Sequence, residues 1–247
     1  GACGFLPLKG RNSFTLAEVL ITLGIIGIVA ALTMPTLIEN HRKKETAVKV
    51  KKAYSILSQA FQRSIADNGD PINWELKDAL SAAGNSQECG DKYIAPYLNV
   101  VKKCDNNNEG ICETKIEYLN KSGFADYNSA NLAKYFLNDG SMIVVAPLEL
   151  RTAGGFPLKA MRIYVDINGS KKPNMWGKDF FYFVYTRTDD PSFADENGKF
   201  LPNGARLSEN ELITRNDGSS CHNNQYGYSC AALIMKQNWE ITDDYPW

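Results

Sequence analysis

Six cysteines, two histidines and one isolated glutamate are the residues of this chain best suited to chemistry. Cys104 and Cys112 bracket a short polar loop, and so do Cys221 and Cys230. Neither spacing is a Cys-x-x-Cys knuckle, so the four read as disulfide staples of an exported protein rather than as zinc ligands. Cys89 is then left over, either free, paired between chains or a substitute partner in one staple. Cys3 stands near the start, apart from the rest. His41 lies in a basic run and His222 beside a cysteine. The sequence holds no Gly-x-Ser-x-Gly elbow, phosphate loop, dinucleotide fingerprint or His-x-x-x-His pair, so neither an enzyme nor a cofactor is expected.

The isolated glutamate is Glu18. It is the one charge in Phe14 to Ile38, and the 20 residues from Val19 to Ile38 hold nothing more polar than three threonines. At about 1.5 Å per residue that run is roughly 30 Å of helix, the thickness of a bilayer core. A buried soluble helix would show a polar face. A carboxylate at the head of a membrane helix costs several kcal/mol unless it is paired. A plain membrane anchor fits this run. So does a cleaved secretory signal with small residues at Val29-Ala30-Ala31, although the apolar stretch continues past that point.

The order Ser13-Phe14-Thr15-Leu16-Ala17-Glu18 followed by an apolar helix resembles the class III signal of type IV pilins and type II secretion pseudopilins. The resemblance implies that a prepilin peptidase cuts between Ser13 and Phe14 and methylates the new Phe14 amine. The family prefers Gly before the cut, and Ser13, also small, stands there. Glu18 becomes the fifth residue of the processed chain and pairs with the Phe14 amine of a neighbouring subunit. Pro35 falls where the family carries a helix-kinking proline. Gly24, Gly27 and Ala31 share a helix face and would let helices approach closely in a filament core. Implied partners are the peptidase, other pilin-like subunits, an inner-membrane assembly platform with its ATPase, and the membrane itself. The implied location is the bacterial inner membrane, with the head in the periplasm and later in a filament. Residues 1–13 are the expected leader, and since Gly1 is not Met the precursor is expected to be longer than the sequence printed. The charges flanking the span (Lys9 and Arg11 before it, Arg42, Lys43 and Lys44 after it) by themselves place the head in the cytoplasm. The cysteine pattern favours export.

These residues need elements to position them. Val50, Tyr54, Leu57, Phe61 and Ile65 recur with a period near 3.6, and Asp67-Asn68-Gly69-Asp70-Pro71 closes the pattern. One helix is therefore predicted over 14–67, membrane-facing first and amphipathic later, followed by a head over 68–247. Short helices are predicted at Trp74–Ala83 and Asp91–Val101. A hairpin is predicted at Tyr135–Ala146 around Asp139-Gly140. Strands follow at Met161–Ile167 and Asp179–Arg187, and a helix at Ala231–Trp239. The fold class is α+β, a long helix packed on a small antiparallel sheet of about four strands. Val165 to Phe181 also resembles a hairpin of pilin-like heads, Asp166-x-Asn168-Gly169, then Pro173-Asn174, then Gly177-Lys178-Asp179. Asp166 and Asn168 echo half of a calcium loop, but the remaining carboxylates and the terminal Glu are absent, so no metal is expected there. The oxygen-rich loop Thr188–Asn197 is a weaker calcium candidate, as some pseudopilins bind calcium in C-terminal loops. Trp239, Tyr245 and Trp247 are expected to pin the tail.

Composition conceals this layout. The 247 residues carry 27 basic and 28 acidic side chains, a net charge of −1, and the mean hydropathy is −0.32. Those averages exclude a disordered chain, a polytopic membrane protein and a globally basic nucleic-acid binder. By position the balance splits. Residues 39–52 hold six bases and two acids, and residues 189–247 hold ten acids and four bases. A filament that stacks stems on heads would bring the two signs together. No aromatic platform accompanies the basic run, so nucleic acid is not an expected partner. The alternative to a filament subunit is an anchored or secreted binding module that uses the stapled loops as its surface.

Overall fold

A computed structural model describes residues 15–79, 84–104, 112, 115–127, 132–169 and 171–247. The chain forms two compact units divided between Arg42 and Lys43. Helix α1 (Leu16–Asn68) runs without interruption through Pro35. In the first unit all of its side chains but the half-buried Ala30 are exposed, among them Leu20, Ile21, Ile25, Ile28 and Leu32. The helix is long and apolar enough to cross a membrane by length and composition.

In the second unit the same helix buries one face. Ala47, Val50, Leu57, Ala60 and Phe61 are sequestered, with Tyr54 and Ile65 half-buried beside them. This is the stripe that the sequence spacing predicts. The helix ends because Gly69 takes a φ of +75°, which closes the last turn with a bond from its N–H to Ile65 O (2.9 Å). Asp70 then accepts from Ile72 N–H (3.0 Å) and starts the 3-10 turn Pro71–Asn73.

Helix α2 (Ser86–Tyr93), strands β1 (Val100–Cys104), β2 (Lys115–Glu117), β3 (Phe124–Asp126), β4 (Ala133–Leu137), β5 (Met142–Arg151), β6 (Pro157–Asp166), β7 (Phe180–Thr188) and β8 (Lys199–Pro202), and helices α3 (Glu209–Thr214) and α4 (Cys230–Lys236) complete the chain. Among the described residues six strands make one antiparallel sheet in the order β1-β4-β5-β6-β7-β8, and β2 pairs with β3 separately. The architecture is α+β, as the sequence predicts, with more strands than the four expected. The additions β1 and β8 sit at the sheet edges.

The sheet is covered on both faces. Tyr135, Ile143, Val145, Ile163, Val165, Phe181 and Phe183 join α1 and α4 in one core. Val144, Ala146, Tyr164, Phe180 and Trp176 join Ile116 and Leu132 in a second. Two buried faces explain why β5 and β6 lack a clean polar alternation.

Two predicted helices differ. Trp74–Asp78 is not helical, and residues 80–83 lie outside the described set. The Asn85 side chain holds this stretch instead, accepting from Lys77 N–H (2.9 Å) and donating to Glu75 O (2.8 Å). Trp74 stacks flat on Tyr93, with ring centroids 4.2 Å apart. A helix this short is marginal alone, so these contacts decide its conformation. The helix expected at Asp91–Val101 lies earlier, over Ser86–Tyr93. Pro96 sits in the 3-10 turn Ala95–Tyr97, and Val100 and Val101 enter β1. The C-terminal helix stops at Lys236 because Asn238 and Trp239 take positive φ and Trp239 N–H bonds Ile234 O (2.8 Å).

Candidate assembly site

Ser13 and Phe14 lie outside the described residues. Glu18 stands in the first turn of α1, where its carboxylate accepts from the backbone N–H and the hydroxyl of Thr15, both at 2.8 Å. Thr15 Oγ1 in turn accepts from Glu18 N–H (3.2 Å). This is a capping box, which satisfies donors that a helix start leaves open. Glu18 has a neutral local partner, and Thr-x-x-Glu was the signal in the sequence.

Further along, Thr22 Oγ1 donates to Val19 O and Thr33 Oγ1 to Val29 O, both at 2.9 Å. Folding hydroxyls back onto the helix removes their cost in an apolar medium. Gly24 and Gly27 are open, since a Cβ added at either would meet nothing within 4 Å. Ala31 is exposed as well. Pro35 has no N–H to offer the carbonyl of Ala31 one turn before. This surface is apolar, notched by small residues, and capped at its start by a carboxylate.

In the second unit, Lys52 bonds Asp139 at the tip of the β4–β5 turn (2.8 Å), and Lys49 pairs with Glu45 (2.9 Å). Asp139 also accepts from Ser141 N–H and Oγ, and its carboxyl is held below the usual range by the hydrogen bonds from Lys52 and Ser141, which outweigh burial. One base of the run is thus committed to the head of its own chain.

The structure joins Cys104 to Cys112 and Cys221 to Cys230. Cys89 is free and buried, so it is not placed to pair between chains. Burial pushes its thiol up to about 11. In the loop Thr188–Asn197, Asp190 accepts from Ser192 N–H (2.9 Å) and Asn197 Oδ1 from Thr188 N–H (2.9 Å), so these oxygens hold the loop's own backbone. His222 Nδ1 accepts from Asn224 N–H (3.2 Å). The tail is pinned. The Tyr245 hydroxyl donates to Gly177 O, and Trp239 packs on Tyr54 with centroids 5.1 Å apart.

Sequence reasoning missed the chemistry inside the β6–β7 connection. Asp166 and Asp179 are 1% and 2% exposed. Asp179 accepts from Asn174 N–H (2.7 Å), Met175 N–H (2.6 Å) and Asn168 Nδ2 (3.0 Å). Asp166 accepts from Asn168 N–H (3.1 Å). Burial first, and then the Asp179 charge, pushes the Asp166 carboxyl up to about 8. The Asp-x-Asn spacing announces a turn, but not that its carboxylates are sealed from water.

A long apolar N-terminal helix, continued as the amphipathic support of an antiparallel sheet, defines a type IV pilin-like protein. Residues 8–34 match the model of the prokaryotic N-terminal methylation motif. Residues 36–247 match the Family of unknown function (DUF6613), and the chain belongs to that family. No curated protein and no solved structure matches the chain.

Proposed function

We propose that the chain is a structural subunit of a type IV pilus or type II secretion pseudopilus. It is made as a single-pass inner-membrane precursor, cut by a prepilin peptidase between Ser13 and Phe14, N-methylated on Phe14 and drawn into a filament by a platform protein and its ATPase. The observation that carries this reading is the methylation motif over residues 8–34 joined to a helix with no buried residue before Thr46. Such a helix reaches low energy in lipid and then among the helices of other subunits. In that setting Glu18 is the polar group to be matched, and the Phe14 amine of the next subunit is the group of opposite charge. Gly24, Gly27 and Ala31 provide the close approach, and Pro35 the point where the helix can yield. The head, held by two disulfides, faces an oxidising compartment.

Mass spectrometry of the native N-terminus tests this reading. The expected species begins at methylated Phe14. A chain beginning near Ala31, or one retaining residues before Phe14 in the assembled material, would overturn it.

A further inference from the structure

The connection from Asp166 to Phe180 is a junction of the head. Its backbone takes Glu117 N–H on Asn174 O (2.8 Å) and gives Trp176 N–H to Glu117 O (3.0 Å), which fastens β2. Gly177 O receives the Tyr245 hydroxyl of the tail. Gly177 itself lies so close to the Cys221–Cys230 bridge that a Cβ there would stand 2.8 Å from Cys230 Sγ. Two buried carboxylates hold this junction in shape, and they are unequally supplied. Asp179 receives two backbone N–H groups and an amide N–H, whereas Asp166 receives backbone N–H groups of its own turn.

Two acceptors nearby are also unmatched. Asn168 Oδ1 and Asn174 Oδ1 are buried, and among the described residues neither meets a donor. The Asn168 amide is oriented by its Nδ2 bond to Asp179, so turning it over would set oxygen against carboxylate. A buried carboxylate pair cannot readily ionise twice, and a neutral carboxyl is both uncharged and a donor.

We propose that Asp166 carries a proton in the folded head, and that the Asp166–Phe180 hairpin is a latch that loosens when that proton is lost. The charge facing Asp166 is that of Asp179 in the same hairpin. Lys171 and Lys172 on the connection are exposed and Lys178 is half-buried. Among the described residues, Glu117 of β2, the Lys52–Asp139 pair beside Ile167, the Tyr245 hydroxyl and the phenols of Tyr127, Tyr164 and Tyr228 against Trp176 are further titratable groups around the junction. A neutral Asp166 ties β2, the tail and the Cys221–Cys230 loop to the sheet. An ionised one adds a second negative charge to that of Asp179 in a site sealed from water.

The sign follows from linkage. A carboxyl whose folded-state pKa lies above its unfolded one favours folding most below the unfolded value, and that contribution is lost as pH rises through the folded value. Urea unfolding of the full chain in detergent tests the latch across about pH 5 to 8. The folded-to-unfolded ratio is expected to fall about tenfold per pH unit in this window. Asp166→Asn keeps the shape without the charge and is expected to flatten the slope, since contributions common to the two proteins cancel in their difference. Infrared spectra of the parent at about pH 6 are expected to show the carbonyl stretch of a neutral carboxylic acid, and this reading stands even where the variant fails to fold. An unchanged slope in Asp166→Asn would overturn the proposal. So would the absence of the acid band, or a rise in the parent's midpoint on adding calcium that Asp166→Asn abolishes, which would assign the pair to a cation.

Discussion

Phe61 of α1 lies flat on Tyr185 of β7, with ring centroids 5.0 Å apart and planes 6° from parallel. The same ring also stacks on Phe200 of β8 at 4.9 Å. Tyr54, two turns earlier, stacks on Phe183 and Phe200 and tilts against Trp239. An aromatic seam therefore joins the helix to the sheet and to the tail in one set of contacts.

Phe61 is 1% exposed, so Phe61→Ala removes the ring and leaves a cavity. The expected loss is about 3–5 kcal/mol, read by urea unfolding of the full chain in detergent with tryptophan fluorescence. A loss below about 1 kcal/mol would show that the seam closes over the gap.

Much of this fold is legible in the sequence, and the exceptions have physical reasons. The helix shows two patterns in turn, an unbroken apolar run and then a 3.6-residue stripe from Val50 to Ile65, and both are local. The hairpin around Asp139-Gly140 is local too. The strand expected to stop at Ala146 continues to Arg151 through Pro147. Beyond Val145 it no longer pairs with β4, so a missing N–H on that side costs no ladder bond. Pro147 O takes Ala79 N–H instead (3.0 Å). The edge strands β1 and β8 are short and carry lysines, which hides them from a search for alternation. Residues 74–78 take their shape from Asn85 and Tyr93, partners that no local pattern reveals. At the candidate site Glu18 stands out by type, whereas its bond to Thr15 follows from a spacing that is easily passed over. The burial of Asp166 and Asp179 depends on strands and loops brought together from distant parts of the chain.

Arg187 grips Asp70 with Nε at 2.9 and 3.1 Å and Nη2 at 3.0 Å, tying β7 to the end of α1. The Arg187 hydrogen bonds hold the Asp70 carboxyl below its usual range. A depressed carboxyl gives stability that is present above the unfolded value and lost as pH falls through the folded one. Asp70→Asn is therefore expected to lower stability by about 1 kcal/mol at neutral pH, because the pair is partly exposed, and to make the acid limb below about pH 4 shallower. Acid titrations of parent and variant by circular dichroism check this, and parallel acid limbs would count against it.

Cys89 is shielded by burial, and its Sγ lies 3.1 Å from Asn85 Oδ1 and 3.4 Å from Glu75 O. With its thiol pushed up to about 11, little thiolate exists near neutral pH. Iodoacetamide at about pH 8 should leave Cys89 unmodified in the folded chain and alkylate it in urea, as peptide mass spectrometry would show. Rapid labelling of the folded protein would mean that the segment around α2 opens readily.

Cys221 and Cys230 close a short loop whose second cysteine begins α4. Replacing both with Ser removes a crosslink worth about 2–4 kcal/mol and leaves hydroxyls in an apolar site. The expected outcome is a loss of that size in urea unfolding, with faster proteolysis between Gly218 and Tyr228. Unchanged stability would mean that core contacts of α4 hold the loop without the bridge.

Glu18 offers a separation of two roles. Its bonds to Thr15 cap the helix, and an amide oxygen can accept those bonds as a carboxylate does. Its proposed bond to the Phe14 amine of a neighbour needs the charge. Glu18→Gln is therefore expected to keep membrane insertion and to fail in filament assembly, and Glu18→Ala to do the same. Loss of one partner of a desolvated pair costs about 3–5 kcal/mol, enough to leave most of the variant in the membrane. Fractionation of sheared filaments from membranes, with both variants beside the parent, reads the outcome. If Gln restores assembly where Ala does not, capping through Thr15 is the role that matters, and the charge pairing is wrong. If both variants assemble, Glu18 is a passenger at the head of the helix.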